Sequence, residues 1–96
     1  HETIGRLGGE EFAMMLPGAD IEAAVRAAQR LRQAVRTATV ITSGPSYTMT
    51  VSIGVVVLDP NEDLSAALAR ADHALYAAKR AGRDRVEVGD PVRRRA

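Results

Sequence analysis

An α+β domain is the fold class that this sequence predicts, and three observations carry it. Two short apolar runs flank a Gly-Gly pair near the start, two segments of helical periodicity each follow an aspartate, and a β-branched run, 48–58, lies between those segments. In chain order these give β-hairpin, helix, strand, helix, strand, the pattern of helices layered on a sheet. With 96 residues the chain is at most one small domain, long enough to bury a core.

Residues 3–7 and 11–16 read as two strands joined through Gly8-Gly9, because tight hairpin turns need the positive φ that glycine supplies. Phe12, Met14 and Leu16 alternate onto one face of the second strand, and Pro17-Gly18 stops it. Asp20 is placed to cap a helix over 21–37. Ile21, Val25, Ala28, Leu31 and Val35 form its apolar stripe, while Glu22, Arg26, Arg30 and Arg36 fall on the side expected to face water. Residues 39–47 contain Ser43-Gly44-Pro45 and read as a loop.

The run TMTVSIGVVVL, 48–58, is the strongest strand signal, and its near-continuous apolar end suggests a central strand covered on both faces. Gly54 weakens such a strand and marks the close approach of another group. Asp59-Pro60-Asn61 ends the run, and Asp63 is placed to cap a second helix over 64–81. Leu64, Leu68, Ala71, Leu75 and Ala78 are its expected buried stripe, and Gly82 stands where a helix-terminating glycine belongs. Residues 84–88 read as a final strand. The domain is expected to occupy 1–90, followed by a basic tail, 91–96, ending Arg93-Arg94-Arg95.

Composition excludes several classes. There is no Cys, hence no disulfide framework and no thiolate metal site. No apolar run approaches the roughly twenty residues of a membrane span, and no signal-peptide pattern is present. The expectation is a cytoplasmic segment without membrane contact, free-standing or the cytosolic part of an anchored parent. Net charge is +1. The only aromatic residues are Phe12, Tyr47 and Tyr76, none interleaved with the basic residues, so no nucleic acid is expected as partner and the tail reads as solvated.

The chemistry concentrates in two places. RLGGEEF, 6–12, sets two carboxylates against the most flexible backbone. On a strand Glu10 and Glu11 point to opposite faces, so one of them can project from the turn. Gly8 and Gly9 let a ligand meet bare backbone, and a carboxylate beside such a gap is a hard oxygen donor suited to Mg²⁺ with substrate phosphates. A solvent-exposed hairpin tip accounts for the same residues. At the other pole, Lys79 and Arg83 bracket the end of the second helix. A cation there favours the carbonyl end of the helix dipole by about 0.3–1 kcal/mol, and an Arg–Lys pair equally suits a triphosphate. His73 reads as a surface or packing residue.

RLGGEEF, TVSIGV at 50–55 and ADHALYAAKRAGRDRV at 71–86, in this order and at these distances, resemble the GGDEF family in its GGEEF variant. The resemblance covers about residues 3–88. It implies a ferredoxin-like sheet related to the nucleotide-cyclase and polymerase palm, with helices packed on it. It also implies a diguanylate cyclase, which condenses two GTP molecules into cyclic di-GMP with release of pyrophosphate. Two such domains face each other as a homodimer, and each 3′-hydroxyl attacks the other's α-phosphate. By the resemblance Glu10 coordinates the catalytic Mg²⁺ or Mn²⁺ and helps deprotonate the hydroxyl, and Glu11 matches the following Glu of the signature. Gly8 and Gly9 admit the nucleotide, and Lys79 and Arg83 fall on phosphate-binding positions.

The family's first strand with its metal-binding Asp, and the helices whose Asn and Asp read guanine, match no stretch of this chain. The expectation is therefore the C-terminal portion of the domain, inactive by itself, within a parent controlled by an upstream sensory or receiver domain. The family's inhibitory Arg-x-x-Asp would place its acid at Glu2, where the sequence has Glu. A catalytically silent module that binds GTP or cyclic di-GMP is the alternative, and a purely structural domain is disfavoured by the intact Glu10, Glu11, Lys79 and Arg83. A sheet without that first strand is expected to pair 11–16 with 48–58 directly or to associate with a second chain.

Overall fold

The computed structural model describes residues 3–8, 11–15, 20–40 and 47–91. Strands β1 (Thr3–Gly8) and β2 (Glu11–Met15) pair antiparallel, with Thr3 opposite Met15 and Arg6 opposite Phe12. The register shifts between Arg6 and Gly8, so that Gly8 stands opposite Glu11. The hairpin expected from the glycine pair is thus present. Leu16, Pro17 and Gly18 lie outside the described residues.

Helix α1 (Ile21–Thr37) begins as its sequence dictates. Asp20 is extended, and its Oδ1 accepts the Ala23 N–H at 2.7 Å, satisfying one of the donors that a helix start leaves open. Glu22 in the first turn and Arg36 in the last complement the dipole. The apolar stripe is only partly covered: Ala28 is buried, but Leu31 is 45% exposed. After α1, β3 (Thr39–Val40) pairs antiparallel with β4 (Tyr47–Thr48). The segment read as a loop therefore has paired ends, formed by the β-prone Thr39, Val40 and Tyr47; Ser43, Gly44 and Pro45 lie outside the described residues.

The single strand expected over 48–58 is not found. Thr48, at the start of the run, belongs to β4, and beyond it the paired segment is β5 (Ile53–Val55), whose partner is the parallel β6 (Val86–Val88), with Gly54 opposite Glu87. Met49, Val57 and Leu58 are about half exposed, so the run is not sheathed on both faces along its length. Alternation reports which side chains favour burial, whereas strand length is set by the partner. Here that partner is three residues long, and beyond it the Val57 carbonyl is taken by the Arg70 guanidinium at 2.7 Å. The last strand likewise starts at Val86 rather than 84, since Arg83 and Asp84 have positive φ. Among the described residues β2 pairs with β1 and β5 with β6, so the direct pairing of 11–16 with 48–58 is absent.

Helix α2 (Leu64–Arg80) completes a parallel β5–α2–β6 unit, and α1 also packs on β5 and β6. Asp63 caps α2, accepting the Ala66 N–H at 2.8 Å. Its buried residues are Ala67, Ala74 and Ala78; of the expected stripe Ala78 is buried and Leu68, Ala71 and Leu75 are half-buried, while Leu64 is 53% exposed and falls outside it. Gly54 gives the reason. A Cβ at that position would lie 2.4 Å from the Ala71 carbonyl oxygen and 2.5 Å from the Leu75 nitrogen, so strand and helix meet backbone to backbone. Only small side chains fit between surfaces so close. Among the described residues the buried apolar set is Ala28, Ala67, Ala74 and Ala78.

Candidate functional site

The Gly8–Glu11 pairing brings one glycine and one glutamate of the RLGGEEF run across from each other at the end of the hairpin. Gly9 and Glu10, the other two residues singled out there, lie outside the described residues.

The second pole is built by the way α2 ends. The Arg83 N–H donates to the Ala78 carbonyl at 2.9 Å and the Gly82 N–H reaches the Lys79 carbonyl at 3.5 Å. With φ of +123° at Gly82, this is the paired bond pattern that closes a helix on a left-handed glycine. Gly82 therefore occupies the terminating position its sequence predicts. The turn separates Lys79, exposed in the last helical turn, from Arg83, exposed just beyond it. Lys79 borders a shallow surface depression together with Asp72, His73, Leu75 and Tyr76. Next to it the Arg80 guanidinium lies 5.7 Å from the centroid of the Tyr76 ring, within cation–π range. His73 is exposed, as expected.

The left-handed backbone does not stop at the glycine. Arg83 has φ of +64° and Asp84 +47°, each a conformation that costs an L-residue about 1–2 kcal/mol. Strained residues persist where their surroundings over-determine them, and here the restraints are explicit. The Asp84 N–H donates to Ser52 Oγ at 3.1 Å, and the Arg32 Nη1 donates to Asp84 Oδ1 at 3.0 Å. Arg36 Nη1 stands 3.7 Å from Asp84 Oδ2. The Arg85 Nε donates to the Arg83 carbonyl at 3.2 Å, and the Ile53 N–H to the Arg85 carbonyl at 2.9 Å. The Arg32 side chain is only 15% exposed.

Asp84, Arg32 and Ser52 are the residues that sequence reasoning passed over. Arg32 and Asp84 are 52 positions apart, so nothing local joins them. The available signal was Arg32 and Arg36 at a spacing that shares a helix face, together with an acid beside a helix-ending Gly-Arg. Among the described residues no group of three or more His, Cys, Asp or Glu is arranged to hold a metal ion, and no helix is long and apolar enough to cross a membrane.

Comparison with known proteins gives this geometry a context. The family model described as diguanylate cyclase, GGDEF domain, matches residues 1–85. Diguanylate cyclase DgcP of Pseudomonas aeruginosa is 45% identical over 87 residues, covering 91% of this chain and 13% of its own length. Diguanylate cyclase A of Treponema denticola is 41% identical over 90 residues, covering 91% of the chain and 24% of the relative. The chain thus spans a quarter or less of these relatives. Among solved structures, the diguanylate cyclase SiaD from Pseudomonas aeruginosa, in complex with its activator SiaC, superposes with a TM-score of 0.87 at 37% identity over 93% of this chain and 34% of that one. The GGDEF domain of DgcB from Caulobacter crescentus, in complex with c-di-GMP, gives 0.85 at 32% identity over 94% and 53%. The hairpin, the β5–α2–β6 unit and the glycine-closed helix end are accordingly parts of an α+β cyclase-type domain, and the chain belongs to the GGDEF family of diguanylate cyclase domains.

Proposed function

We propose that the protein carrying this chain is a diguanylate cyclase that condenses two GTP into cyclic di-GMP, and that the chain supplies the signature hairpin and the phosphate-binding helix end. The observation that carries this reading is the intact GGEE sequence at the hairpin of a GGDEF-family domain, with Gly8 and Glu11 opposite each other. The donor chemistry fits a hard divalent cation, Mg²⁺ or Mn²⁺, because adjacent carboxylates beside bare glycine backbone suit an ion that is shared with substrate phosphates. Glu10 would hold it, with Glu11 alongside. The metal supplies charge neutralisation on the phosphates and acidifies the attacking sugar hydroxyl. Gly8 and Gly9 leave room for the nucleotide. Lys79 and Arg83 orient the triphosphate and offset its charge, since phosphoryl transfer depends on positioning and electrostatics more than on covalent help.

Two GTP molecules must face each other for the product to close, so the working unit is a homodimer of these domains. A GTP substrate fits a reaction in the cytoplasm, and control by an upstream sensory or receiver domain belongs to the same proposal. A second reading, a silent module that binds GTP or cyclic di-GMP, is favoured by the bound c-di-GMP in the related DgcB structure.

Glu10→Ala in the full-length protein separates the two. Chromatographic assay of GTP turnover with Mg²⁺ is expected to show wild-type synthesis of cyclic di-GMP and loss of it in the variant. Product within a few-fold of wild type in the variant removes Glu10 from the metal role. Wild-type protein that binds GTP and makes no product is the silent module.

A further inference from the structure

Asp84 carries no part in the reading given so far, yet it is the most heavily restrained residue beside Arg83. Its main chain is tied to the residue just before β5 through Ser52 Oγ at 3.1 Å, and its carboxylate to α1 through Arg32 at 3.0 Å, with Arg36 at 3.7 Å. Arg83, one residue earlier, is tied only through its backbone: its N–H to Ala78 and its carbonyl to the Arg85 side chain. Among the described residues its guanidinium makes no hydrogen bond or ion pair, and it is exposed. An arginine at a left-handed φ of +64° aims its side chain where a helical or extended residue would not. Asp84 tolerates its own left-handed conformation better than most residues, and its carboxylate is bolted to a neighbouring helix.

We infer that Asp84 is a positioning residue: anchored by Arg32 and Ser52, it fixes the left-handed backbone that presents the free guanidinium of Arg83 to the phosphates of a nucleoside triphosphate. The inference rests on the proposed role of Arg83 in phosphate binding. Its new content is a link from the C-terminal half of α1 to the phosphate-binding turn. Arg32 and Arg36 of α1 and the arginine at position 83 then have opposite duties. Arg32 and Arg36 neutralise the anchor, which keeps the Asp84 carboxylate from pairing with Arg83 itself and leaves that guanidinium available. An acid beside a phosphate ligand would otherwise repel the anion or capture its cation.

The test uses the full-length protein with Asp84→Asn, Arg32→Lys and Arg83→Ala, alone and combined, each melted first and assayed below its transition. GTP affinity with Mg²⁺ is measured by calorimetric titration, beside KM and kcat for cyclic di-GMP formation. Asp84→Asn keeps the size and the left-handed tolerance while releasing the ion pair. It is expected to weaken GTP binding and raise KM about five- to tenfold with kcat changed less than about threefold. Arg32→Lys, which keeps a cation at the anchor, is expected to retain near-normal affinity. In the Arg83→Ala background the Asp84 change should add less than about twofold, because two residues acting through one contact do not add. Unchanged GTP affinity in Asp84→Asn, or an equal loss with and without Arg83, overturns the inference. If wild type binds GTP but makes no product, the cyclase reading falls and the same affinity comparison still decides on Asp84. Wild type that binds no GTP overturns both.

Discussion

Arg70 and Glu62 meet in a two-point grip, with the Arg70 Nε donating to Glu62 Oε2 at 3.0 Å and its Nη2 donating to Oε1. The same guanidinium donates to the Val57 carbonyl at 2.7 Å and to the Asp90 carbonyl at 2.8 Å, so it closes α2 onto the ends of both strands of the parallel pair. The Glu62 side chain is 8% exposed and also accepts the Asp59 N–H at 3.1 Å. The hydrogen bond from Arg70 holds the Glu62 carboxyl below its ordinary range, outweighing burial, and the same contact raises the Arg70 guanidinium. A carboxyl lowered in the folded state adds stability above its unfolded value, about 4.3, and loses that contribution as pH falls through the lowered folded value. Melting temperature followed from pH 6 down to about 3 is therefore expected to fall more steeply in wild type than in Glu62→Gln. Parallel curves for the two would exclude Glu62 as a source of acid lability.

Gly54→Ala is expected to destabilise the domain by about 3 kcal/mol, at the upper end for overpacking, because the new carbon meets backbone atoms of Ala71 and Leu75 rather than movable side chains. The urea midpoint should drop with an unchanged slope. A midpoint equal to wild type would mean that strand and helix are not in backbone contact there.

Lys79→Ala and Arg83→Ala are each expected to weaken GTP binding about tenfold or more, as loss of a charge-assisted bond to phosphate would. If both residues served only the helix end, stability would fall by about 0.3–1 kcal/mol and GTP affinity would hold. Titration calorimetry beside a thermal melt reads the two effects separately.

Local signals were the legible ones. Asp20, Asp63 and Gly82 mark helix ends through bonds that span three to five residues, so their sequence positions suffice. The Gly8-Gly9 pair likewise announces the hairpin around it. What depends on a distant partner was not legible. The apolar run 48–58 looks uniform, yet β6 decides where pairing ends, and Arg70 claims the Val57 carbonyl. Ala78 was expected on the buried face of α2, but the burial of Ala67 and Ala74 and the exposure of Leu64 were not, because the closeness of Gly54 is a property of two elements together. At the candidate site, Lys79 and Arg83 are proposed from the motif alone, whereas the anchor of Asp84 on Arg32 exists only once α1 and the final turn are folded side by side.

The backbone contact at Gly54 also acts as a mechanical bearing. A helix held at one point can pivot, but α2 is held at two: the strand backbone abuts it at Ala71 and Leu75, and Arg70 clasps the carbonyls of Val57 and Asp90. Together they oppose both sliding along the strand and rolling about the helix axis. The distance from that bearing to Lys79, about one helical turn beyond Leu75, is a rigid lever of fixed length. The placement of the lysine thus depends on an absent methyl group on a neighbouring strand, and a residue larger than glycine at position 54 is expected to displace the helix without touching a charged group.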